Sequence, residues 1–203
     1  MAYGIPTPKF LIAHSATEAA SKAEEIGYPT VLKIVSPDIL HKTEIGGVIV
    51  GLKTGDQVRS AYNQIFANVK QHDPKVRVEG VLVQSMAPEG IEVIVGGLRD
   101  STFGPTVLFG LGGIFVEVLK DASFRVAPVS KLDTRQMIEE VRGYPLLKGA
   151  RGQPASDEEA ISRIIQTTSK LMLENNQIQQ VDLNPVIVYA KGAAVVDARI
   201  ILA

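Results

Sequence analysis

Apolar and polar positions along the chain alternate in stretches of period two, separated by stretches with the three-to-four residue spacing of amphipathic helices. Lys9–Ala13 reads as a short strand, and Ser15-Ala16-Thr17-Glu18 is a capping-box pattern opening a helix that reaches about Ile26, with Gly27 as its stop. The β-branched run Thr30–Val35 is broken by Pro37-Asp38, Val48–Leu52 resumes as a strand, and Thr54-Gly55-Asp56-Gln57 caps a second helix to about Val69. Val76–Gln84 and Ile91–Gly96 read as strands on either side of a connector, and Arg99–Pro105 reads as a loop. Thr106–Phe109 and Ile114–Leu119 are apolar runs flanking Gly110, Gly112 and Gly113. Beyond Pro128 the spacing turns helical: Asp133–Arg142, a loop over Leu146–Pro154, and a helix to about Glu174 opened by Ser156-Asp157-Glu158-Glu159. Val181–Tyr189 and Ala194–Leu202, separated by Lys191-Gly192, form a hairpin. This order is not a clean βαβαβ alternation. It predicts an α+β protein with largely antiparallel sheets in two lobes, residues 1–86 and 87–203, joined near Ser85–Gly90.

Three of these apolar strands carry polar residues that need a reason. Lys33 interrupts Val31–Val35, and an unpaired buried ammonium is costly; it either meets an anion or lies on an edge strand facing water. Glu92 shares a strand face with Ile94 and is placed to accept from hydroxyl groups or to form an ion pair. In the hairpin, Asp182, Asn184, Asp197 and Arg199 fall out of step with the apolar positions. A two-residue turn at Lys191-Gly192 would set Asn184 opposite Arg199. Oxygen donors gathered on one patch suit Mg²⁺, and a solvated sheet face is the plain alternative. The glycine cluster marks either a backbone approach to phosphate or a tight turn between buried strands.

Composition narrows the classes. The chain has 203 residues, 45% of them apolar, enough for one large domain or two small lobes. A net charge of −1 gives no electrostatic case for nucleic acid or an anionic membrane. No cysteine is present, which excludes disulfides and thiolate metal sites. With no long apolar segment, a soluble, cytoplasmic protein is expected, and the short ends suggest a trimmed domain or compact subunit. The glycines do not make a dinucleotide fingerprint, because Phe115 stands at the third glycine position. There is also no P-loop, no H-E-x-x-H and no G-x-S-x-G.

Taken together, YGIPTP, VLKIVSPDILHKTEIGGV, VLVQSMAPEGIEVIVGGLRDSTFGP, FGLGGIFVEVLKDASFRVAP, GYPLLKGARG and DLNPVIV followed by VVDARI carry a resemblance across essentially the whole chain. The sequence resembles the ATP-grasp domain of ADP-forming (NDP-forming) acyl-CoA synthetases, the β-subunit type of acetate–CoA ligase, related to the β subunit of succinyl-CoA synthetase.

The resemblance implies an ATP-grasp fold in which two α+β lobes hold ATP. It implies that Lys33 contacts phosphates, that the Gln84-Ser85-Met86 hinge reads adenine, that Glu92 lies near the ribose, and that Asn184 and Asp197 bind Mg²⁺. Asp182 stands where the relative has a glutamate and is as well suited to support a ligand as to be one. Gly112 and Gly113 approach the triphosphate or a partner's phosphohistidine loop, with Glu117 and Arg125 nearby. His41 matches a phosphoryl relay, the alternative being a loop histidine that binds phosphate or water. Arg125 and Arg151 either neutralise charge near the transferred group, dock the partner, or form structural ion pairs. The implied reaction interconverts acyl-CoA, ADP and phosphate with carboxylate, CoA and ATP. It needs a CoA-binding partner domain or α subunit carrying a phosphohistidine, so a hetero-oligomer or a larger chain is expected. A non-catalytic nucleotide-sensing module is the competing expectation.

Overall fold

The computed structural model describes residues 2–39, 41–113, 121–149 and 154–203. The chain divides into two compact units, Pro8–Met86 and a second made of Met1–Thr7 with Ala87–Ala203.

In the first unit, β1 (Phe10–Ala13), β2 (Thr30–Val35), β3 (Val48–Leu52) and β4 (Gly80–Ser85) form a sheet in the order β1-β4-β2-β3, every pair antiparallel. Helices α1 (Ala16–Ile26) and α2 (Gly55–His72) both pack on one face of it. Both start where their caps predict: Ser15 Oγ accepts from Glu18 N, and Thr54 Oγ1 accepts from Gln57 N. Alternation then sorts β2 by face. Thr30, Leu32 and Ile34 point to the helices, where Leu32 and Ile34 join Ala19, Ala20 and Ala23 of α1 and Val58 and Ile65 of α2 in one core. The alanine face of α1 lets that helix come close to the sheet. Val31 and Lys33 occupy the other face.

In the second unit the strands are β5 (Ile91–Asp100), β6 (Gly104–Leu111), β7 (Ala122–Val126), β8 (Ile178–Val188), β9 (Ala193–Val195) and β10 (Ala198–Leu202), paired antiparallel in the order β10-β8-β5-β6-β7 with β9 also on β8. Among the described residues its helices are α3 (Lys131–Glu140), α4 (Tyr144–Leu147) and α5 (Glu158–Glu174). One sheet face, with Val93, Val95, Phe109, Leu111, Val181 and Leu183, is buried with Ile161, Ile164, Ile165 and Met172 of α5 and Met137 and Ile138 of α3. Phe109 is fully buried at its centre.

Several element boundaries differ from the sequence expectations for local reasons. The expected loop Arg99–Pro105 is mostly strand, because Asp100 Oδ1 accepts from Thr102 N and Phe103 N at 2.7 and 2.9 Å and closes a tight turn. Arg99 donates to the carbonyls of Met172, Asn175 and Ile178, which satisfies acceptors at and beyond the end of α5. Helix α3 starts earlier, at a reciprocal Ser130–Asp133 capping box, and the cap of α5 is Asp157 rather than Ser156. Tyr144–Leu147, expected partly as loop, is a single helical turn started with Pro145.

The first seven residues, expected in the first lobe, belong with the second unit. There Tyr3 and Ile5 pack on the core, Tyr3 Oη donates to Glu174 Oε2 at 2.9 Å, and Pro6 O accepts from Val195 N at 2.8 Å. Among the described residues no helix is long and apolar enough to cross a membrane.

Candidate functional site

Lys33 sits on β2, which is an interior strand flanked by β4 and β3, and only 6% of its surface is exposed. The edge-strand explanation for this lysine is therefore ruled out. Its register partners are Leu82 and Val48, and the neighbouring pair on the same face is Val31 with Gln84, which is buried at 3% exposure. The sheet face turned away from α1 and α2 thus holds an ammonium and an amide side by side, within an otherwise apolar surface.

The segment leaving β4 is held at both of its next amides: Ser85 N donates to Lys9 O at 2.9 Å and Met86 N to Pro29 O at 3.0 Å. Met86 keeps 43% of its surface exposed. The backbone here is pinned before the chain passes out of the unit.

His41 lies in the long connection between β2 and β3. Its ring is 69% exposed, with Nδ1 3.8 Å from Glu44 Oε1. The connection is tied down at both ends. At its start, Arg77 grips Asp38 through its guanidinium at 2.7 and 3.1 Å and through its backbone N–H at 2.9 Å. These bonds hold the Asp38 carboxyl well below the usual range, at about 2. At its end, Gly47 N donates to Lys42 O, Ile34 N to Gly47 O, and Asn68 Nδ2 to Gly46 O. The result is an exposed imidazole on an anchored turn.

In the second unit the register of the hairpin differs from the expected one. Val188 pairs with Ala193 and Tyr189 N donates to Gly192 O, so the turn centres on Ala190-Lys191, with Gly192 at φ 85° supplying the left-handed residue. The shift is two residues. It changes the partners: Arg199 faces Asp182 rather than Asn184. Nearer the turn, Val195, rather than the expected Val196, joins Val186 in the core. Asn184 now meets Asp197, with Asn184 N donating to Asp197 O at 3.1 Å and Val196 N to Pro185 O at 2.9 Å. A register shift between β5 and β8 falls at this point, opposite Ile94, where Pro185 has no N–H to offer.

Asn184 is exposed and Asp197 half-buried, with Asp197 Oδ1 accepting from Ala198 N at 3.1 Å. One step along the same face, burial pushes the Asp182 carboxyl up, while the Arg199 charge pulls it down and Asp197 adds to the rise. An amide oxygen and a carboxylate side by side are hard donors of the kind Mg²⁺ takes alongside phosphate oxygens and water. Among the described residues no cluster of three or more His, Asp or Glu forms a metal cage, so any ion here would rely on its substrate for the remaining ligands.

Glu92 lies on the same face of the six-stranded sheet, with its side chain exposed. Gly112 packs against it. Gly112 N donates to Glu92 O at 2.8 Å, and a Cβ at position 112 would come within 2.9 Å of Glu92 Cβ. Gly113 follows at φ 63° with open space around it. The glycine pair therefore lets β6 close against β5 and then turns the chain.

Arg125 falls on the opposite face of the sheet. It pairs across to Val107, and its guanidinium holds both carboxylate oxygens of Glu140 on α3, at 3.0 Å for Nη1 to Oε2. This is the structural ion pair, and it turns Arg125 away from Asp182, Asn184 and Asp197. Glu117 and Arg151 lie outside the described residues. Asp121, at the edge of that segment, is buried and accepts from Arg142 N and Gly143 N at 2.8 and 3.0 Å, holding the turn between α3 and α4. Arg199 is the residue whose setting the sequence did not single out; its only signal was a basic residue within the hairpin's polar set.

These features define a class. A model of the ATP-grasp domain matches residues 1–202, and the chain belongs to this family. Within it, the chain is 48% identical over 200 residues to the β subunit of ADP-forming acetate–CoA ligase I of Pyrococcus furiosus, a match covering 98% of this chain and 86% of that one. Two solved structures of the dinucleotide-forming acetyl-coenzyme A synthetase 1 of Ca. Korarchaeum cryptofilum superpose over the whole chain. One, in complex with coenzyme A, Ca-AMPCP and HgCl⁺, is 52% identical with a TM-score of 0.98 and is covered to 88%. The other holds coenzyme A and Mg-AMPPCP, with its phosphohistidine segment pointing towards the nucleotide binding site; it is 48% identical with a TM-score of 0.85 and is covered to 87%. The relatives are ligases, of which this chain corresponds to the ATP-grasp part.

Proposed function

We propose that this chain is the nucleotide-binding, phosphoryl-transfer component of an ADP-forming acyl-CoA synthetase of the acetate–CoA ligase type. With a CoA-binding partner carrying a phosphohistidine, it interconverts acyl-CoA, ADP and phosphate with carboxylate, CoA and ATP. The observation that carries this reading is the opposed pair Asn184 and Asp197, next to the charged pair Asp182 and Arg199, on the side of the second sheet away from α3 and α5. The buried Lys33 on an interior strand supports it independently.

Phosphoryl transfer is mostly positioning and charge neutralisation. Lys33 supplies a fixed positive charge for the phosphates. Asn184 and Asp197 hold the divalent ion, which when bound neutralises phosphate charge. Glu92 accepts from the ribose hydroxyls, and the carbonyls of the Gln84–Met86 segment face the base. His41, exposed on its tethered turn, takes the phosphoryl group on a neutral ring nitrogen: the N–P bond forms as the bond from the γ-phosphorus to the bridging oxygen breaks and ADP leaves. The group then passes to the partner's histidine. Arg125, held by Glu140, has no part in this scheme.

Calorimetric titration with Mg-ATP tests the reading. Wild type binds, and Lys33→Ala and Asp197→Ala each bind at least about tenfold more weakly, the loss expected for a charge-assisted contact. Equal binding by either variant would remove that residue from the site, and no binding by the folded wild type would overturn the reading.

A further inference from the structure

Arg199 stands out among the basic residues of the second unit. It is half-buried on β10, two residues after Asp197, which lies just before the strand. Yet its guanidinium makes no hydrogen bond and no ion pair with any described residue; it acts only through its charge on Asp182, directly opposite on β8. The two other half-buried arginines of this unit behave differently: Arg99 donates to three carbonyls and Arg125 grips Glu140. A partly desolvated planar cation with five donors, held in place by strand pairing and left unbonded, is an arrangement suited to a planar or tetrahedral oxyanion.

The surroundings say which anion. The same face carries the carboxylates of Asp182 and Asp197 within two adjacent cross-strand pairs. A lone carboxylate ligand would be repelled there, whereas a polyanion that arrives with a divalent cation brings its own neutralisation. Resting on the function proposed above, we propose that Arg199 is a phosphate-anchoring residue. In this role its guanidinium donates to non-bridging oxygens of the same nucleotide phosphates whose divalent ion is held by Asn184 and Asp197, and Asp182 keeps that guanidinium on the sheet face. Asp182 is then a positioning residue, not a metal ligand.

The test compares wild type, Arg199→Ala, Arg199→Lys and the double variant Asp182→Asn/Arg199→Ala. Each is titrated calorimetrically with Mg-ATP and with adenosine, after thermal unfolding has confirmed that it folds. Arg199→Ala should weaken Mg-ATP binding about 10- to 100-fold and leave adenosine binding within about twofold. Arg199→Lys should recover part of the loss, because charge returns without the bidentate geometry. The double variant should stay as weak as Arg199→Ala. Three results would each overturn the proposal: unchanged Mg-ATP affinity in Arg199→Ala, an equal loss for adenosine, or recovery in the double variant, which would mean that Arg199 only balances Asp182. If wild type itself fails to bind Mg-ATP, the parent reading falls and takes this proposal with it; wild-type binding with a normal Arg199→Ala overturns this proposal alone.

Discussion

Asn184 and Asp197 face each other across the C-terminal hairpin, joined by the bond from Asn184 N to Asp197 O at 3.1 Å. Their backbones fix each other, so two hard oxygen donors are presented together without either side chain having to be ordered from afar. A metal taking only two protein ligands depends on such preorganisation, because any freedom lost on binding weakens affinity directly.

A magnesium titration at fixed ATP follows from this pairing. Asp197→Asn should raise the magnesium concentration needed for half-maximal binding by more than about tenfold, since it removes the only formal charge of the pair. Asn184→Ala should raise it less. Magnesium dependence indistinguishable from wild type in both variants would place the ion elsewhere.

The exposed ring of His41 predicts a phosphoryl intermediate on this chain. Incubation with γ-labelled ATP and the CoA-binding partner should give acid-labile, base-stable label on the chain, abolished in His41→Ala. Label that persists in the variant would mean that His41 is a bystander of the transfer.

Arg125 and Glu140 should behave as a structural pair. With side chains 26% and 49% exposed, they should show a coupling of about 0.5–1 kcal/mol in a double-mutant cycle read by denaturant unfolding. Mg-ATP affinity should be the same in Arg125→Ala as in wild type. A large loss of nucleotide affinity in that variant would restore Arg125 to the site.

Asp38 gives a pH signature. Its carboxyl is lowered from 3.8 to about 2 in the folded protein, first by the Arg77 guanidinium and then by the Arg77 backbone N–H. A depressed acid contributes stability above its unfolded value and loses it as pH falls through the folded one. Thermal unfolding of wild type should therefore drop more steeply than that of Asp38→Asn from about pH 4 down to about pH 2, with the two converging below. Parallel curves through this window would show that the bond to Arg77 does not hold in solution. Since Asp38 lies three positions before His41, the same variant should also reduce labelling of that histidine.

The sequence by itself determined what is local. The caps at Ser15 and Thr54 were legible because their bonds span only three residues, and the alternation of β2 and of the first part of β8 indicated which side chains share a face. Lys33, Glu92, Asp182, Asn184 and Asp197 stood out for the same reason: each breaks an apolar rhythm. The ordered motifs along the whole chain were sufficient to indicate the family.

What only the tertiary structure decided depends on which strand lies beside which. Lys33 could have been an edge residue until the order β1-β4-β2-β3 placed its strand inside the sheet. The hairpin register was two residues from the expected one because turn length is not encoded by alternation, which a two-residue slip leaves intact. That slip pairs Asn184 with Asp197 and Arg199 with Asp182. Likewise, Arg125 and Arg199 are equally plausible in sequence, each a basic residue in a strand. Only α3, packed against one face of the sheet, separates them: it gives Arg125 the carboxylate of Glu140 to hold, whereas Arg199, on the other face, has Asp182 opposite it and no hydrogen bond or ion pair to its guanidinium among the described residues.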